Sequence, residues 1–301
     1  MARDNDRREG RGPSRAEQAG RHIDEMTRRF SAEISQAQAA TRVYDGAPRV
    51  AVEGCVAAVT VVDQDGVAAV LERGRGLASA CDLAVLDFAS FTRPGGGYDR
   101  GTWGQEQALC ASSFLYNVLA EKRDWYGENR RRNINCELYR NRALVVPRVR
   151  FERDGFHSYA DVIVAAAPNA RRAREEYRVG EDALLAALRD RVRLVMSIAD
   201  ELGHKKLVLG AFGCGAFGWD AATVAEVFRA ELASGAHVAS EVVFAIPRGR
   251  ADENLEVFQH ALATFPDPNP APYVSRAELA ARAAEAAASE PEDEDDWRKY
   301  L

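Results

Sequence analysis

The sequence predicts an α/β fold of three layers around a mainly parallel sheet, and three observations lead there. Short apolar, β-branched runs alternate along the chain with segments of helical spacing, the pattern of a sheet covered by helices. Two of those runs open directly onto glycine-rich loops. Residues 181–202 carry the clearest helical stripe: Leu184, Leu185, Leu188, Val192, Val195 and Ala199 share one face with charges between them, and Gly203 closes it.

Taken in order, residues 1–20 are rich in Arg, Asp, Glu and Gly and are expected to form a disordered tail. Ile23, Met26, Phe30, Ile34 and Ala37 then sit at helical spacings, followed by a strand-like Thr41-Arg42-Val43-Tyr44 and a turn at Asp45-Gly46. Residues 50–71 are small and apolar, and their pattern leaves their class open. Leu83-Ala84-Val85-Leu86-Asp87-Phe88-Ala89 reads as a buried strand. Beyond a glycine-rich loop, Ala108, Leu109, Ser112, Leu115, Tyr116 and Leu119 repeat at helical spacing. Residues 123–142 are polar and arginine-rich and read as a surface excursion. Residues 144–147 and 149–151 read as short strands, Asp154-Gly155 as a turn, and residues 161–166 as a buried strand ending at Pro168. After the long helix, residues 206–209 form a strand that opens onto the second glycine-rich loop. A helix over 221–232, a strand over 241–247 and a short helix over 254–263 follow. Pro266, Pro268, Pro270 and Pro272 form a linker, and an alanine-rich helix over 275–288 begins at a good N-cap, Ser275. Residues 290–296 are acidic and expected to be disordered, and residues 297–301 read as an unstructured end with a docking peptide as the alternative. The expected division is a tail over 1–20, one domain over 21–265, and a linker, helix and acidic tail over 266–301.

The composition excludes several classes. The 301 residues carry a net charge of −6 and are 47% hydrophobic, so a core is affordable and a broad nucleic-acid-binding surface is not implied. The five cysteines are scattered and odd in number, which argues for reduced thiols in a cytoplasmic protein and against zinc or a disulfide framework. The five histidines show no metal-ligand spacing, so no metal or cofactor is expected. The first twenty residues lack an apolar signal-like run, and no run is long enough to span a membrane. A monomer is expected.

The chemistry concentrates in the two loops. The first, Gly95-Gly96-Gly97 through Gln105-Glu106-Gln107, joins a strand to a helix N-terminus, where unpaired N–H groups and the helix dipole favour an anion. Three consecutive glycines permit positive φ and a close approach to a ligand. The second, Gly213-Cys214-Gly215-Ala216-Phe217, also follows a strand. Ligands of α/β sheets sit beyond the carboxyl ends of the strands, so both loops fall on that edge, and two facing sets of backbone donors suit a diphosphate. Phe217 and Tyr98 are candidates to pack on ribose or adenine, with core packing the alternative for Phe217. There is neither a Walker lysine nor a Rossmann glycine fingerprint after a first strand.

Three separated stretches carry a resemblance. The triple glycine with Gln105-Glu106-Gln107 seven residues on, the run Leu209-Gly210-Ala211-Phe212-Gly213-Cys214-Gly215-Ala216-Phe217-Gly218, and Val164-Ala165-Ala166-Ala167-Pro168-Asn169 are similar to the bacterial and fungal type of poly(ADP-ribose) glycohydrolase. The resemblance spans roughly residues 21–265 and implies a macrodomain with an N-terminal helical extension. It implies that the loop from Gly213 to Phe217 cradles the diphosphate of ADP-ribose and that residues 95–107 wrap the distal ribose. The chain departs from the family at Gln107, where the second, catalytic glutamate is expected. It also departs at Asp87 and Trp219, where asparagine is usual.

Glycosidic cleavage passes through an oxocarbenium-like state and needs proton transfer to the leaving oxygen. The amide of Gln107 carries no titratable proton. Glu106 is the remaining carboxylate at the loop–helix junction. The helix dipole there favours its ionised form, so it is expected to start as a base or cation stabiliser. Asp99 and Asp220 are further candidates, with solvation and helix capping as their alternatives. Two functions follow: an ADP-ribosyl hydrolase acting on ADP-ribose or an ADP-ribosylated macromolecule, toward which the intact first loop leans, or a silent ADP-ribose reader.

Overall fold

A computed structural model describes residues 12–131 and 135–289. In chain order the elements are α1 (Arg15–Ala40), β1 (Arg42–Tyr44), β2 (Ala58–Val62), α2 (Gly66–Arg73), β3 (Leu83–Phe88), α3 (Gln105–Ala111), α4 (Leu115–Leu119), α5 (Arg123–Arg131), β4 (Ala143–Arg153), β5 (Phe156–Ala165), α6 (Ala170–Tyr177), α7 (Glu181–Leu202), β6 (Lys206–Leu209), α8 (Ala221–Leu232), β7 (Glu241–Ala245), α9 (Asn254–Ala261) and α10 (Arg276–Ser289).

The strands form one seven-stranded sheet in the order β1-β4-β5-β3-β6-β7-β2. The run from β5 to β2 is parallel, while β1, β4 and β5 pair antiparallel. Central strands are buried on both faces, which is why β3 reads as continuous apolar sequence rather than an alternation. One core packs α7, α8 and α9 against the sheet through Leu188, Val195, Phe228, Phe244 and Phe258. The other packs α1 to α5 on the opposite face through Met26, Val70, Phe114, Leu115 and Trp125. The expected three-layer, mainly parallel α/β architecture with an N-terminal helical extension is therefore observed.

Local sequence explains the element ends. Ser14 caps α1 and forms a reciprocal capping box with Glu17, so the helix starts at Arg15 and buries Ala19. That places the start ahead of residue 20, where the tail was expected to end. Asp154 and Gly155 both have positive φ and join β4 to β5 in a tight hairpin, as the turn signal implied. The two short strands expected over 144–151 are one strand, irregular between Val146 and Val149. The single helix expected beyond the first loop is two, because the chain turns at Ser112 and Ser113 before α4. Residues 123–142 do not form a surface excursion. Trp125, Tyr126, Asn129, Tyr139 and Arg142 are buried, and Arg142 bonds Asn129 Oδ1 at 2.8 Å. Arg142 and Asn129 misled because they satisfy each other inside. Residues 50–71, left open by pattern, contain β2 and the start of α2. Beyond Pro266 the chain lies back on the domain, with Arg229 donating to the Pro266 carbonyl at 2.6 Å and Arg276 pairing with Glu256 at 2.6 Å. The tail expected over residues 1–11 and the acidic and terminal segments over 290–301 lie outside the described residues.

Candidate functional site

β3, β5 and β6 end side by side, and the loops that follow them enclose a cavity of about 530 Å³. That is the size of an ordinary small-molecule site. The first loop supplies Gly96, Thr102, Trp103 and Gly104, and the start of α3 supplies Gln105, Glu106 and Gln107. The opposite wall is Gly213, Gly215, Ala216 and Phe217. Asp87, Gly95, Gly97 and Cys214 do not line it: the first is buried beneath, the two glycines shape the loop, and Cys214 packs toward the core with its thiol pushed up to about 12 by burial.

The triple glycine is needed as such. Gly95, Gly96 and Gly97 have φ of 56°, 57° and 88°, and a Cβ at Gly96 would collide with the side chains of Glu106 and Gln107. The three side chains of the following motif tie down three different backbone stretches. Gln105 clamps β3, accepting from Phe88 N–H and donating to the Leu86 carbonyl, both at 2.9 Å. Glu106 Oε2 accepts from Ser90 N–H at 2.8 Å. Gln107 Nε2 donates to the Gly95 carbonyl at 2.9 Å and so pins the glycine loop.

In the second loop, Gly213 has φ of 82° and rests on the indole of Trp219, whose Nε1 donates to the Pro168 carbonyl at 2.7 Å. Trp219 is thus a buried prop beneath the loop. Among the described residues, the N–H groups of Gly213, Gly215, Ala216 and Phe217 make no hydrogen bond within the protein, whereas those of Cys214, Gly218 and Trp219 do. A Cβ at Gly215 would meet nothing within 4 Å, so this backbone faces open space. Free amides around a concave turn form an anion cradle. Phe217 lines the cavity, and its ring also packs edge-on to Tyr139.

Tyr98 is not a ligand platform. It is buried against Tyr116, with its hydroxyl 3.1 Å from His22 Nδ1. Asp220 caps α8 through Thr223 N–H at 2.8 Å, and Asp99 sits beside Tyr116 away from the cavity. The sequence reading missed Trp103, which is 60% exposed on the rim with the Arg15 guanidinium 5.5 Å from its ring centre. An aromatic inside a glycine-rich loop, where no core requires it, is the signal that pointed there.

The electrostatics of Glu106 also differ from the expectation. The carboxyl is buried, 3% exposed, and burial followed by the nearby Asp87 pushes its pKa well up, against the single Ser90 N–H that lowers it. Loss of solvent outweighs the helix dipole, because a group inside the first turn of a buried helix has little water to return to. Asp87 is fully buried and burial alone holds its pKa far above the usual carboxylate range.

The histidines and cysteines are less isolated than their spacing implies. Cys81, Asp161 and His204, at the amino edge of the sheet, bring their polar atoms within 4.8 Å of one another. Asp161 there accepts from Arg148 N–H at 2.7 Å and lies 3.0 Å from His204 Nε2, so protein groups already occupy it.

Residues 15–154 match the family model for the catalytic domain of microbial-type poly(ADP-ribose) glycohydrolase. The poly(ADP-ribose) glycohydrolase of Thermomonospora curvata bound to the inhibitor ADP-HPD is 30% identical, with a TM-score of 0.67 over 81% of this chain and 97% of that one. The same enzyme in another crystal structure gives 28% identity and a TM-score of 0.69 over the same shares. The enzyme of Deinococcus radiodurans in complex with ADP-ribose is 28% identical, with a TM-score of 0.68 over 78% of this chain and 98% of that one. No curated protein sequence matches the chain significantly.

Proposed function

Because the chain belongs to the microbial-type poly(ADP-ribose) glycohydrolase family, we propose that it binds ADP-ribose between its two glycine-rich loops and hydrolyses an ADP-ribosyl glycosidic bond there. The observation that carries the binding mode is the set of four unbonded N–H groups from Gly213 to Phe217, facing a cavity of the right size. They hold the diphosphate. Gly96, Gly104 and the head of α3 then surround the distal ribose, placing its anomeric carbon beside Glu106. Phe217 offers a ring edge or face to the nucleoside.

Glu106 is the sole titratable side chain among the described residues lining the cavity. In its acid form it protonates the departing oxygen as the glycosidic C–O bond breaks, and the bonding pair leaves with that oxygen. As a carboxylate it then faces the oxocarbenium carbon and takes a proton from the water that attacks it. Gln107 takes no part in proton transfer and holds the glycine loop through the Gly95 carbonyl.

Calorimetry should give micromolar or tighter binding of free ADP-ribose, about −8 kcal/mol. The Gly215→Glu variant should fold, since its side chain enters open space, yet lose binding because a carboxylate occupies the diphosphate cradle. Unchanged affinity in that variant would remove the site assignment.

A further inference from the structure

Beneath Glu106 lies a group of buried polar atoms that the proposed hydrolysis leaves unused. Asp87, on β3, is 0% exposed and, among the described residues, neither of its carboxyl oxygens has a hydrogen-bond partner. Glu106 Oε1 and the hydroxyl of Tyr126, on α5, are equally without partners. The groups lie close enough for charge on Asp87 and Glu106 to act on Tyr126 and on the Cys110 thiol of α3. Among the described residues no cation is paired with either carboxyl: the only bond is from Ser90 N–H to Glu106 Oε2. Gln105 bonds the backbone on both sides of Asp87, so the head of α3, with Glu106 as its next residue, is fixed against β3 at this position.

Two carboxyls in a dry pocket with one donor between them cannot both be ionised. We propose that Asp87 and Glu106 work as one proton-sharing pair, in which a proton retained between the two supplies Glu106 with its acid form. This rests on the hydrolase reading above. Of the two, Glu106 has the Ser90 N–H to support a negative charge and Asp87 has none, so the proton resides on Asp87 at rest and its hydroxyl fills the vacant Oε1 of Glu106. In the reaction that proton passes through Glu106 to the leaving oxygen. The second negative charge appears in the pair as a positive charge develops on the anomeric carbon, which offsets it. Attack of water returns one proton to the pair, and the cycle closes with one water consumed. Tyr126 and Cys110 stay protonated and form the dry wall. Asp87 thereby acts through Glu106 as a positioning residue for the proton.

Asp87→Asn keeps the shape and removes the proton-sharing partner. The alkaline limb of its kcat profile should move down by one pH unit or more, about tenfold in rate on that limb, with KM and ADP-ribose affinity nearly unchanged. Infrared difference spectra of the native protein near neutral pH should contain a protonated-carboxyl band that is lost in Asp87→Asn and moves to the frequency of an unshared carboxyl in Glu106→Gln. A kcat profile lowered evenly at every pH, or native spectra without that band, would overturn the pair. Should Asp87→Asn fail to fold, the native and Glu106→Gln spectra still decide. A band present in a protein that cleaves no ADP-ribosyl linkage would sink the hydrolase reading and leave the pair standing.

Discussion

Three adjacent side chains, Gln105, Glu106 and Gln107, each hold a different stretch of backbone, and only the middle one can carry a proton. Glu106→Gln should therefore lower turnover by about 10²-fold or more while leaving ADP-ribose binding near the native value. Gln107→Glu is a two-sided test. It adds a carboxylate at the cavity, but it also replaces the amide that donates to the Gly95 carbonyl. The lost bond and the new oxygen–oxygen repulsion should cost about 1–3 kcal/mol of stability, read as a lower melting temperature. Whether turnover on ribose–ribose linkages rises despite this separates a proton-limited enzyme from one whose loop geometry matters more. Unchanged melting would show that the Gly95 contact is not held in solution.

The two glycine-rich loops were legible in the sequence because the requirement for positive φ and for free backbone amides leaves a mark in composition. The strands before them were legible because burial on both faces demands a continuous apolar run. What escaped was set by contacts distant in sequence. The place of Glu106 at a helix N-terminus is legible in the sequence, but its raised pKa is not, because the burial that causes it is completed by segments distant in sequence. Residues 123–142 read as surface because Arg142 finds its partners, Asn129 and the Trp125 ring, only in three dimensions. The start of α1 is marked in the sequence by Ser14 and Glu17, a capping box that outweighs the charged composition of the first twenty residues. That helix packs over the first loop, so its first turn matters. Deleting residues 1–20 should lower the melting temperature relative to a chain beginning at Gly12, since it removes the cap and the buried Ala19. Equal melting of the two truncations would show that the first turn contributes nothing.

Taken as a molecule, the protein places uncompensated carboxyls at its centre, and this has a consequence for pH. The Asp87–Glu106 pair retains a proton in the folded state that the unfolded chain releases above the ordinary carboxylate range. Its contribution is thus present at acid pH and is lost as pH rises from that range toward the folded values. Each tenfold difference in proton affinity between the two states is worth about 1.4 kcal/mol. Asp87→Asn should gain stability relative to the native protein as pH rises, and parallel melting curves across pH would contradict this burial. The account as a whole stands on Glu106 doing proton work in a site that grips ADP-ribose. The most direct measurement is release of ADP-ribose by the native protein and by Glu106→Gln from O-linked polymer, carboxylate-linked and nucleobase-linked substrates. Native turnover above the buffer control on at least one linkage, lowered about 10²-fold or more in the variant, is the expected result. Native rates equal to the buffer control on all three, with ADP-ribose still bound, would make the protein a reader and contradict the account.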